Sequence, residues 1–239
     1  MRISIAPMLK MRRLLAWAVL LSVPFVACSS DSPSDPDGLY LPDSPGSGTV
    51  TLRVIATAEV REVGASAYET YFEVTVADSA AAPVSGAVVT FVAGFGTLRL
   101  TETQAGVYTA TRAEFIPGSY TLDVSSGPDY LVGLTASAPE IHTITKPAAN
   151  DTVTANTAFN VRWAREILSD QCRLESRDYD SDWIFGDTST LWVPSVGNPP
   201  RTDQRVRVSR RNVQLTAAGL PVSQLSVSVR RNVEPIIAQ

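Results

Sequence analysis

Beyond residue 49 the chain alternates between apolar and polar positions. In Val50-Thr51-Leu52-Arg53-Val54-Ile55-Ala56, the residues Val50, Leu52, Val54 and Ala56 share one face, and Thr51 and Arg53 share the other. Phe72, Val74 and Val76 repeat the pattern. Further runs follow at Ala87 to Ala93, Gly96 to Thr101, Val107 to Arg112, Tyr120 to Val124 and Tyr130 to Thr135, punctuated by Gly, Pro, Asp and Ser. A two-residue period with turn residues at such spacing predicts short strands of a sandwich, and a helical 3.6-residue period is missing beyond a turn or two.

The pattern breaks at Ala138-Pro139-Glu140 and resumes with Ile141 to Pro147. Phe159, Val161 and Trp163 then alternate with Asn160 and Arg162, which places Trp163 in a second core. The element Asp187 to Pro194 and the strands Arg205 to Ser209 and Leu225 to Val229 complete the set, the last with Ser226, Ser228 and Arg230 on a solvated face. The fold class read from these runs is all-β: two tandem immunoglobulin-like β-sandwiches, residues 49–138 and 139–239. Each is near the usual size of such a sandwich.

The first 48 residues follow other rules. Arg2, Lys10, Arg12 and Arg13 precede an apolar run from Leu14 to Val26, which ends on Ala27. A basic start, a short apolar stretch and a small residue before the cleavage point form a secretory signal, and the run is too short and proline-broken for a membrane span. Residues 28–48 hold mostly Ser, Asp, Pro and Gly, with Leu39, Tyr40 and Leu41 as the apolar exceptions, and read as a disordered tether.

Phe25-Val26-Ala27-Cys28 resembles the lipobox of bacterial lipoproteins, with Phe25 standing where that pattern usually has Leu. The resemblance implies that residues 1–27 are removed and that Cys28 is the lipid attachment site, carrying a diacylglyceryl thioether and an acylated amine of the palmitate type. Several acyl chains anchor stably where one does not. Ser29 stands where an Asp would signal inner-membrane retention, so the resemblance points to the outer membrane, with periplasmic and surface-facing orientations both open.

The folded part carries a second resemblance. Val76-Ala77-Asp78, Pro83 to Val89, Gly106 to Ala110 and Pro117 to Val124 look like bacterial immunoglobulin-like modules of invasin-type adhesins and carboxypeptidase regulatory-like domains. Ile141 to Pro147 resembles the head of fibronectin-like domains. Such modules usually act as spacers or binding surfaces, and the resemblance brings no catalytic residues.

Charge narrows the partner class. The full chain has 20 Lys+Arg and 24 Asp+Glu, and loss of the four basic residues before Cys28 leaves a net charge of −8. Nucleic acid is disfavoured as a partner. The pairs Arg210-Arg211 and Arg230-Arg231 sit in strand patterns and read as solvent-facing ends, with an anion-binding stripe as the alternative. The echo Val208 to Val213 against Val229 to Val233 reads as a pair of strands with similar polar ends rather than a repeat.

Candidate chemistry is thin. His142 is the single histidine, reads as an exposed linker residue, and lacks any Gly-x-Ser-x-Gly elbow to serve. Cys172 reads as a buried thiol. Asp178, Asp180 and Asp182, with Asp187 beyond, alternate as calcium ligands do, yet Trp183 and Ser189 occupy the positions where an EF-hand needs Gly and Glu, so a solvated loop is expected. Tyr179, Trp183, Phe185 and Trp192 are candidates for an aromatic binding face. No catalytic residue, metal ligand or cofactor is assigned.

The expected role is a noncatalytic, lipid-anchored envelope protein that binds or positions a protein or glycan partner. A structural subunit pairing through exposed strand edges is the alternative. Exposure of Asp178, Trp183 and Trp192 favours the first role, an open edge or apolar patch the second. An enzyme would need a pocket that includes His142.

Overall fold

In the computed structural model, which describes residues 52–64, 67–216 and 222–239, the alternation becomes sixteen strands and one short 3-10 turn at Ser195–Gly197. In chain order the strands are β1 (Arg53–Gly64), β2 (Ala67–Ala77), β3 (Val88–Ala93), β4 (Gly96–Arg99), β5 (Thr101–Gln104), β6 (Val107–Arg112), β7 (Ser119–Ser126) and β8 (Asp129–Ser137). They continue with β9 (Thr143–Lys146), β10 (Thr152–Val153), β11 (Phe159–Ala164), β12 (Gln171–Ser176), β13 (Ile184–Phe185), β14 (Thr190–Val193), β15 (Arg201–Leu215) and β16 (Gln224–Ala238). The signal segment, Cys28 and the tether lie outside the described residues.

Three sheets form. The longest runs β13-β12-β15-β16-β1-β2-β6-β5, with β10 pairing the end of β16; β4-β3-β7-β8 and β14-β11-β9 are the other two. One core lies between the four-stranded sheet and the long sheet, and holds Val54, Phe72, Val74, Phe91, Tyr120 and Leu122. Phe72 packs its ring 4.9 Å from Phe91 and 6.1 Å from Tyr120. The second core lies between the three-stranded sheet and the long sheet, around Val161, Trp163, Leu174, Val193, Val208 and Ile236. The chain is all-β, built as packed sandwiches.

The long sheet crosses the division at residue 139. Residues before it contribute β1, β2, β5 and β6, and residues after it contribute β10, β12, β13, β15 and β16. β16 runs parallel to β1, from Ile55 opposite Gln224 to Arg61 opposite Arg230, and its Leu225 and Val227 belong to the first core. Ile236, farther along the same strand, belongs to the second. β15 and β16, 15 residues each, pair antiparallel, so the two echo segments are adjacent strands. All described residues fall in one compact unit.

The motif residues of the first sandwich have specific tasks. The Tyr108 hydroxyl donates to the Val84 carbonyl at 2.9 Å and accepts from the Ala87 amide at 2.8 Å. Glu102 accepts the amides of Gly86 and Gly106, which hold its carboxyl below the usual range. Gly106 has φ +71°, and a Cβ there would stand 2.7 Å from the Val76 carbonyl oxygen, so only glycine fits. Tyr120, at the start of β7, donates its hydroxyl to Ile116 four residues upstream at 2.7 Å, the geometry of the tyrosine corner of immunoglobulin-type sandwiches.

Candidate binding face

The two smaller sheets pack on one face of the long sheet and leave the other without a covering layer among the described residues. Strand register makes that open face continuous across both sandwiches. One row reads Phe185, Gln171, Arg211, Ser228, Glu59, Tyr71, Thr111, through seven strands from β13 to β6. The next row reads Arg173, Ser209, Arg230, Arg61, Glu69, and a third Glu175, Arg207, Asn232. Seven strands at about 4.8 Å spacing span roughly 29 Å.

Arginines dominate this face. Glu175 lies 3.8 Å from Arg173 and 3.6 Å from Arg207, while Glu59 lies 2.6 Å from Arg61 and 2.8 Å from Arg230. Arg211 donates to the Gln171 side-chain oxygen at 2.6 Å and stacks 3.9 Å from the Trp183 ring centre. Small residues form the floor, with Ser209 and Ser226 buried beneath the longer side chains. Burial, then the charge of neighbouring arginines, lowers Arg205 and Arg211; burial also lowers Arg230, against the opposing pull of Glu59.

The aspartate loop is organised by arginines. Asp180 pairs with Arg173, and Asp178 pairs with Arg201 at 2.5 Å, so these two carboxylates answer to different cations. Asp178 and Asp182 are exposed. Trp192 is 61 % exposed on the outer side of the three-stranded sheet, Phe185 is 84 % exposed at the long sheet's edge, and Trp183 is half-buried against Arg211. These rings therefore sit on two different sheets instead of forming one patch.

Four expectations are corrected. Asp187 is not in a solvated loop, and Arg210 is not a solvent-facing end: both side chains are fully buried and form an ion pair at 2.5 Å. β15 alternation sends Arg210 inward, into a row between Val229 and Cys172. The Asp187 carboxylate also accepts from Trp163 Nε1 at 3.0 Å and Ser169 Oγ at 3.2 Å. Burial alone would raise its pKa, but Arg210, Trp163 and Arg165 together hold it below the usual range.

His142 is not an exposed linker residue. It is 0 % exposed, donates Nε2–H to the Val208 carbonyl at 3.2 Å and leaves Nδ1 without a hydrogen-bond partner among the described residues. Burial, reinforced by the Arg210 charge, lowers it to about 3. A recess of about 420 Å³ opens nearby, lined by Glu140, Ile141, Thr143, Ala164, Arg165 and Glu166, and His142 is not part of that lining. The outward side of β16 is only partly solvated, since Ser226 is 4 % exposed. Cys172 is buried, and burial raises its thiol.

Arg173, Arg205, Arg207, Arg61 and Glu59 were not singled out in the sequence. The signal was present for two of them: Arg205-Val206-Arg207-Val208 alternates, which already puts both arginines on the side away from the core. The others meet them only through pairing register.

No protein-family model matches the chain, and no curated protein matches it significantly in sequence. Among solved structures it is similar to the Yersinia pseudotuberculosis adhesin InvE, with 18 % identity and a TM-score of 0.26, over 77 % of this chain and 61 % of that one. It thus spans less than two thirds of that relative. It is also similar to Clostridium thermocellum CbhA fibronectin(III)-like modules, with 14 % identity and a TM-score of 0.25, over 82 % and 92 % of the two chains. A third similar structure is the central fibronectin-III array of RIM-binding protein, with 8 % identity, a TM-score of 0.24, and coverage of 81 % and 71 %.

Proposed function

We propose that this chain is a noncatalytic, lipid-anchored protein of the bacterial outer membrane that holds a protein or glycan partner against the open face of its long sheet. The observation that carries the binding role is the continuous polar face, seven strands wide, to which both sandwiches contribute. Lined by arginines, serines and a few aromatic rings, it suits recognition, not chemistry: a catalytic site needs a concave pocket with convergent reactive groups. The single histidine is sealed in the interior, where no substrate reaches it. Of the three residues whose exposure would mark a binding module, Asp178 and Trp192 are exposed and Trp183 is half-buried. Pairing through strand edges is less well supported, because of the edge strands β13, β5, β14, β9, β4 and β8 all but the nine-residue β8 are two to four residues long.

Membrane fractionation and protease shaving of intact cells test anchor and orientation, with Cys28→Ala beside the wild type. The expected result is loss of Cys28→Ala from the membrane fraction; equal retention sinks the anchor. Capture of envelope components by purified protein tests the face, using a Ser228→Cys variant coupled to a bulky maleimide. Ser228 sits at mid-row, so the label is expected to abolish capture. Undiminished capture would move the binding site elsewhere.

A further inference from the structure

β15 sends Arg205, Arg207, Ser209 and Arg211 to the open face in succession, at intervals of about 6.8 Å over some 20 Å of strand. Ser209, the break in that series, is flanked by Arg173 on β12 and Arg230 on β16. The row of cations is therefore uninterrupted. Its neutralisation is not. Glu175 is shared by two arginines and Glu59 by two, and Asp180 adds one carboxylate at Arg173.

Arg205 and Arg211 have no carboxylate within ion-pair distance among the described residues, in a chain whose overall charge is acidic. Farther along the sheet, Arg177 and Arg201 are matched by Asp178, Asp203 and Glu234. On β2, Glu69 and Glu73 bound the field on its other side. On the open face Arg53, at the start of β1, is likewise without a carboxylate within ion-pair distance among the described residues, but it stands alone, whereas Arg205 and Arg211 share one strand with the cluster between them. Trp183 lies against Arg211 at one end of the row and limits its guanidinium to few orientations.

We infer that this arginine row binds an extended acidic polysaccharide laid along β15, with its anionic groups over Arg205, Arg211 and the Arg207, Arg173 and Arg230 cluster between them. The inference rests on the open face being the binding surface. Charge complementarity sets the sign of the ligand, and the straight row sets its extended shape. Ser228 and Asn232, both half-buried, lie between the arginines and supply a hydroxyl and an amide for a ligand rich in hydroxyl groups. An acidic peptide anchors through apolar side chains seated in apolar pockets, and the floor between these arginines is built of serines.

The test is binding of full-length protein in detergent to three probes: polygalacturonate, neutral dextran and poly-glutamate. Polygalacturonate is expected to bind at about 20 mM salt and to weaken at least tenfold at about 300 mM, where exposed charges are strongly screened. An Arg205→Gln/Arg211→Gln pair is expected to weaken it tenfold or more, an Arg205→Lys/Arg211→Lys pair to retain most of it, and Arg99→Ala, on another sheet, to leave it unchanged. Absence of polygalacturonate binding, equal binding of dextran, or an unaffected Gln pair overturns the inference. Poly-glutamate binding as tight as polygalacturonate also overturns it, in favour of an acidic protein segment. If another ligand is captured and the Ser228 label blocks it, the wider reading of the face survives while the polysaccharide fails.

Discussion

Asp187 and Arg210, 23 residues apart in the chain, are joined by a hydrogen-bonded ion pair at 2.5 Å with both side chains fully out of solvent. Arg210 also donates to the carbonyls of Ile167 and Glu140, so one guanidinium ties the 165–170 loop, the 186–189 turn and the segment entering β9 to strand β15. Removing Arg210 leaves Asp187 with Arg165 at 3.0 Å, and removing Asp187 leaves Arg210 with two carbonyls and Glu140 at 3.9 Å, so each loss should lie at or below the about 3–5 kcal/mol typical of a buried charge stripped of its partner. Asp187→Leu and Arg210→Met should each lower stability by that order, and the double substitution should recover part of the loss. Denaturant unfolding of the three variants measures this; additive losses would show that the pair is not coupled.

His142 makes stability depend on pH. The folded protein protonates it only near 3, and the unfolded chain near 6.5. Between those values the unfolded chain binds the extra proton, so stability is full above about 6.5 and falls as the pH drops toward 3. At about 1.4 kcal/mol per pKa unit the total is on the order of 5 kcal/mol. Asp187, held below its usual range, adds to acid lability at the lower end. Urea midpoints across pH 7 to 4 should slope downward in the wild type and less in His142→Gln. Identical slopes would remove His142 as the cause.

The Tyr120 hydroxyl should be worth about 1 kcal/mol, the usual net value of one buried hydrogen bond. Tyr120→Phe keeps the ring beside Phe72 and Phe95 and deletes the bond to Ile116. For a unit of this size the melting temperature should fall by about 2–4 °C. An unchanged melting temperature would mean that the corner is not a source of stability.

Cys172 should be chemically silent in the native protein. It is fully buried, and burial raises the pKa of its thiol, so reactive thiolate is scarce. In a Cys28→Ala protein, a thiol reagent should count no reactive group under native conditions and one in denaturant. Rapid native labelling would show that the second core opens readily.

Fold class was legible because a two-residue period needs no partner to be read. Phe72, Val74, Trp163 and Leu174 all lie on the buried side that alternation assigns them. The same reading could not see pairing. Arg210 follows the same alternation as Val208, so its inward direction was implicit in the strand, yet a lone arginine reads as solvated until its buried partner is known. His142 failed for a similar reason: a residue between two strand patterns reads as linker, and here Val208 closes over it from 66 residues away.

By itself, the amino-acid sequence determined the β character, the strand faces, the turn glycines and the acidic balance, because each depends on residues near one another in the chain. Tertiary structure alone decided that β1 and β16 lie side by side, that one sheet runs through both cores, and that Asp187 meets Arg210. It also decided which arginines share the open face. Contacts such as Arg61 opposite Arg230, 169 residues apart, depend on register between strands, and local pattern carries no record of register between distant segments.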